Sequence, residues 1–185
     1  MTLRDFYESA IEVGKAADRR GKDALGRHLE EVAARYEDMS DRERRLFDGV
    51  RLENPFGDTR IVHGDPETEL GRVVLGIDID GAELLLASEL TRLGNKVDAV
   101  IAHHGSAIAG GVASRYDTAI PQVGMAVEAG IPEPRAWKLV QQVIGKDGDS
   151  SWDLRSLQIA EALGIPLMTV HSPADSTTAA NLAKI

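Results

Sequence analysis

Cysteine is absent from the 185 residues, which excludes a disulfide framework, a thiolate nucleophile and a Cys-type zinc finger. No apolar run approaches the ~20 residues needed to span a bilayer. The first residues, Met1 to Tyr7, are charged and lack the apolar core of a signal peptide. An intracellular, cytoplasmic protein with no membrane partner is therefore expected. A basic cluster is missing too: Arg19-Arg20 and the arginines from Arg42 to Arg45 sit among acids and read as solvated helix faces. With a net charge of -9 and a pI near 5.0, the chain would repel a nucleic-acid backbone, and no nucleic-acid partner is expected. There is no internal repeat and no low-complexity tract. The remaining composition, 43% hydrophobic and 28% charged, is that of a globular chain long enough to bury a sizeable core.

Familiar catalytic templates are lacking as well. Gly145-Lys146 is followed by Asp147 where a phosphate loop needs Ser or Thr, and the dinucleotide fingerprint is missing. There is no Gly-x-Ser-x-Gly nucleophile elbow. Asp78-Ile79-Asp80-Gly81 resembles the Asp-x-Asp of haloacid-dehalogenase-type phosphatases. Ala82, however, stands where those enzymes carry Thr or Val, and a helix cap explains Asp80 without chemistry.

What is present is a pattern of helices followed by alternating strands and helices. Thr2 with Asp5 and Ser40 with Glu43 resemble capping boxes, and apolar residues recur at helical spacing from Phe6 to Ala17 and from Leu25 to Tyr36. His28 falls within the second stripe and reads as a packing residue. Residues 1–50 are thus expected to form a helical extension that serves as scaffold or oligomer contact, with an α/β domain over 51–185. Thr59 to His63 can form a short strand, and His63-Gly64-Asp65 is a weak candidate for metal donation. The uninterrupted apolar run Arg72 to Asp78 predicts a strand buried on both faces. Asp80 with Glu83 predicts a capped helix ending at Leu93-Gly94, and Val97 to Ala102 the next strand. That strand–helix–strand unit implies a mostly parallel sheet with flanking helices.

Beyond it, the Gly- and Ala-rich stretch Ser106 to Ser114 is expected near a ligand. Helices are predicted around Asp117 to Ala129, Glu133 to Ile144 and Trp152 to Leu163, with Gly130, Gly145 and Gly164 as terminators. Ile165 to Val170 predicts a last strand, followed by a Ser172-Pro173 turn and a final helix capped by Ser176 or Thr177. That helix is about eight residues long with no terminator, and the natural protein is expected to continue past it.

Two strands therefore end in histidine: Val97 to Ala102 in His103-His104-Gly105, and Ile165 to Val170 in His171, with Asp175 four residues on. Ligands in α/β sheets bind at the carboxyl ends of strands. Neighbouring side chains on a strand face opposite ways, so His103 and His104 serve one ion only if the backbone turns between them. Otherwise they serve two, which Asp175 can bridge through its two oxygens. Imidazole and carboxylate donors suit zinc, manganese, iron or nickel.

Asp98-Ala99-Val100-Ile101-Ala102-His103-His104-Gly105 is similar to the signature of the Nif-three-like proteins (interacting-factor-three superfamily), often labelled GTP cyclohydrolase type-two-like. Val73 to Asp78 and its following helix resemble the segment leading into that signature. His171-Ser172-Pro173-Ala174-Asp175 resembles the family's second motif, and the likeness runs from about Asn54 to Ile185. The resemblance implies two divalent metal ions in a chain that assembles as a toroidal homohexamer. His103, His104 and Asp175 match metal ligands. His171 matches a histidine beside the metals, which would support a ligand from behind or act as acid and base. The family completes its site with a His and a Glu near its carboxyl terminus, which do not follow Asp175 here. The function implied is a dinuclear-metal-dependent hydrolase of a nucleotide or phosphate-containing small molecule, hence an anionic substrate. The alternative is a non-catalytic metal-binding or protein-interaction protein.

Overall fold

Thr2 opens the first helix, α1 (Leu3–Ala17), through a capping box: the Asp5 amide donates to Thr2 Oγ1 at 3.1 Å and the Thr2 amide to Asp5 Oδ2 at 2.8 Å. Helix α2 (Lys22–Glu37) buries Leu25 and Val32, and α3 (Asp41–Leu46) starts at the expected Ser40–Glu43 box. A 3-10 turn at Gly49–Leu52 leads to strand β1 (Arg60–His63) and then β2 (Val73–Asp78). Asp80 and Glu83 cap α4 (Gly81–Arg92), and Gly94, at φ +86°, takes the left-handed conformation that ends it. Strand β3 is Ala99–His104. Residues 122–128 are helical (α5), followed by α6 (Glu133–Ile144), α7 (Arg155–Leu163), β4 (Leu167–Thr169) and α8 (Ser172–Leu182). This computed structural model describes residues 1–104, 122–144 and 155–184. Gly105, the Ser106 to Ser114 stretch, the start of the helix predicted from Asp117, Gly145 and Trp152 lie outside the described residues. No described helix is long and apolar enough to cross a membrane.

The four strands lie in the order β1-β4-β3-β2. Strands β2, β3 and β4 are parallel, as predicted, and β1 pairs antiparallel with β4. The architecture is α/β, a mostly parallel sheet with helices on its faces. Alternation along β3 divides its side chains between two cores. Val100 and Ala102 pack with Leu84 and Ala87 of α4, Ala160 of α7 and Leu167 of β4. Ala99 and Ile101 pack with Leu3 of α1 and Met168 of β4. Asp98 fastens the start of β2 to the start of β3. Its carboxylate accepts from the amides of Gly71 and Arg72, both at 2.8 Å, and from Lys96 Nζ at 2.8 Å.

Two expectations need correcting. Strand β2 is not buried on both faces, because it is the outermost strand of the sheet: Leu75 is 69% and Ile77 63% exposed. Val74 packs against the α4 side, while the opposite face there is left bare. Helix α8 starts at Ser172, not at Ser176 or Thr177, because Pro173 occupies its first turn, where a fixed φ and a missing N–H suit a helix start. Asp175 therefore sits on the helix's first turn.

Candidate metal centre

The parallel register brings three strand tips to one edge of the sheet. Asp78 at the end of β2 pairs with His104 at the end of β3, and the Val170 amide donates to the Ala102 carbonyl at 2.8 Å, so His171 emerges beside His103. Strict alternation would send His103 and His104 to opposite faces, yet their ring centroids lie only 4.8 Å apart. Side chains in strands lean along the strand direction, which lets neighbouring rings at a strand's end approach. His171 completes the group, with centroids 4.8 Å from His103 and 5.6 Å from His104. One ring nitrogen of each histidine lies within 4.8 Å of the other two.

Each ring has its Nδ1 engaged. His103 Nδ1 is 3.1 Å from the Val170 carbonyl oxygen, His104 Nδ1 is 3.0 Å from Asp78 Oδ1, and His171 Nδ1 is 2.9 Å from Asp58 Oδ2. All three partners are acceptors, which leaves each Nε2 as the nitrogen for a further ligand. Asp175 faces two of these, with Oδ1 3.4 Å from His103 Nε2 and Oδ2 3.5 Å from His171 Nε2. Its place in the first turn of α8 also suits a negative charge. A cavity of about 30 Å³ adjoins His171 and Asp175 and is lined also by Arg19, Gln122 and Ser176.

Asp58 is fully buried beneath this group. Burial pushes its carboxyl up, but hydrogen bonds from His171 and Ser172 outweigh that and hold it below the ordinary carboxylate range. The His171 imidazole is correspondingly raised, chiefly by its hydrogen bond to Asp58, with burial opposing.

The four predicted site residues, His103, His104, His171 and Asp175, thus come together. His63 does not: it ends β1, which runs antiparallel to β4 and pairs it with Leu167, so it lies at the opposite end of the sheet. His28 is half-buried on α2, as its stripe predicts. Sequence reasoning missed Asp58 and Asp78. Asp58 follows Gly57 and carries no local sign of a site, and Asp78 read as part of a rival phosphatase motif.

The donor set fits a divalent cation. Three imidazole nitrogens and one carboxylate, with carboxylates and a carbonyl behind the rings, are donors of the kind that hold a divalent ion and supports of the kind that orient them. Among the described residues these donors suffice for a single ion. The second ion of the implied pair would need further ligands.

A scan against models of protein families finds no match, and neither does a comparison with curated proteins. Among solved structures the chain is similar to the crystal structure of a NIF3 superfamily protein from Sphaerobacter thermophilus. The two are 30% identical over 65% of this chain and 42% of that one, with a TM-score of 0.49. The chain thus spans less than half the length of that protein.

Proposed function

We propose that the edge formed by β3 and β4 is a divalent-metal centre serving hydrolysis of a nucleotide or another phosphate-containing small molecule. The observation that carries this reading is the convergence of three imidazoles and Asp175 from two separate strand ends. His103, His104 and Asp175 hold the cation, which is zinc, manganese, iron or nickel by donor type. A divalent ion at such a seat lowers the pKa of water towards ~7 and so makes hydroxide available at neutral pH. His171 orients water and takes up a proton at Nε2. The cavity beside it exceeds the ~10–15 Å³ that a water needs. The second ion and the homohexamer implied by the resemblance belong to the same reading.

The test is a panel of nucleotides and phosphodiesters with added manganese or zinc, run on the wild type and on His103→Ala. Metal-dependent hydrolysis is expected in the wild type. Loss of a ligand should reduce it by more than the ~10–100-fold typical of changes behind the ligands. Equal rates in the two proteins would discard the reading. Tight metal retention without turnover on any substrate would leave a non-catalytic metal-binding protein.

A further inference from the structure

We infer that Asp58 is a positioning residue for this centre. It keeps the His171 proton on Nδ1, so that the Nε2 lone pair faces Asp175 and the cavity. The inference rests on the metal-centre reading for its purpose, but its geometry stands apart from it.

The carboxylate of Asp58 is fully enclosed and surrounded by donors. Oδ2 accepts from Ser172 Oγ at 2.6 Å and lies 2.9 Å from His171 Nδ1. Oδ1 accepts from the Ser172 amide at 3.2 Å and from Thr59 Oγ1 at 3.1 Å. An ionised carboxylate has no proton to give, so the short contact to His171 requires the hydrogen to sit on Nδ1. The backbone on both sides of the pair is also held, since the His171 amide donates to Thr59 Oγ1 at 3.3 Å and Thr169 Oγ1 donates to the Asp58 carbonyl at 2.9 Å. Among the described residues the Asp58 carboxylate bonds to His171, Ser172 and Thr59. It acts through His171.

Asparagine at this position makes the idea testable, because it has only one acceptor oxygen. The buried Ser172 amide needs that acceptor, so the Asn Oδ1 would turn towards Ser172 and Thr59. Its NH2 would then face His171 Nδ1 and donate to it. The imidazole hydrogen would move to Nε2, the nitrogen that faces the site. The same exchange behind a catalytic histidine in a serine-protease triad preserves the geometry and produces the wrong tautomer.

The measurement is long-range proton–nitrogen-15 correlation of the five histidines in the metal-free protein, above the imidazolium range, with His171 assigned by its loss in His171→Ala. The wild type should show His171 as the Nδ1–H tautomer, and Asp58→Asn should show Nε2–H. Turnover, where present, should drop in kcat more than in KM, because His171 acts through Nε2 and does not hold the ion. A wild-type Nε2–H tautomer, or an Nδ1–H tautomer retained in a folded Asp58→Asn, overturns the inference. If Asp58→Asn does not fold, the wild-type spectrum decides alone. A wild type that binds no metal sinks the metal-centre reading, while the tautomer still judges Asp58.

Discussion

Asp98 carries a carboxyl pulled down to a pKa of about 2, first by Lys96 and then by the backbone amide of Arg72, with burial opposing and the Gly71 amide assisting. Its removal leaves two amides at the start of β2 without their acceptor. Asp98→Ala should therefore lose about 1–3 kcal/mol of stability in denaturant titrations near neutral pH. The sign of the acid dependence follows from the depressed value. The stabilisation is present above the ordinary carboxylate pKa of about 3.9 and is lost as pH falls from there towards about 2. The wild type should thus weaken over that window more steeply than Asp98→Ala, and parallel acid limbs would refute the assignment. At the candidate site, two strands that end in histidine are visible in the sequence, and the structure brings His103, His104, His171 and Asp175 together. Asp58 and Asp78 were not legible in the sequence. A carboxylate beside a glycine looks the same whether it caps a turn or lies beneath an imidazole, and only the long-range approach of β4 distinguishes the two.

At the level of elements, α1 and α8 pack closely because Gly14 has no side chain. A Cβ there would come within 2.7 Å of Pro173 Cβ and 2.9 Å of Phe56 Cε2. Pro173 lies in the first turn of α8, two residues after His171, so this contact also seats the centre. Gly14→Ala should cost about 1–3 kcal/mol by overpacking. Gly26 on α2 is the control, since a Cβ there would meet nothing within 4 Å. Gly26→Ala should gain about 0.5–1 kcal/mol from helix propensity. Thermal unfolding that moved in the same direction for both would contradict this packing. Helix starts were readable where the signal was local: Thr2, Ser40 and Asp80 each close a capping box within three residues. The start of α8 was misplaced because His171, its N-cap, makes no side-chain cap bond. That side chain is turned to Asp58 instead, and the helix begins without the usual mark.

For the whole molecule, the sheet has two cores, one beneath α4 and α7 and one beneath α1, and a strip that neither covers. Leu75 and Ile77 of β2 lie on that strip, beside a groove lined by Phe6, Ile101, Val170 and His103. The apolar run from Val73 to Ile77 reads in sequence like any strand buried on both faces. Periodicity cannot tell which strand ends up outermost, because the order β1-β4-β3-β2 is set by long-range pairing. If the strip is bare in solution, replacing both residues costs little, since exposed positions usually change stability by within about 0.5 kcal/mol each. Leu75→Lys with Ile77→Lys adds two positive charges, taking the net charge from -9 to -7, and should leave the unfolding free energy within about 1 kcal/mol of wild type. A loss above about 2 kcal/mol would be a burial-sized effect, and would mean that this face is covered rather than open to water.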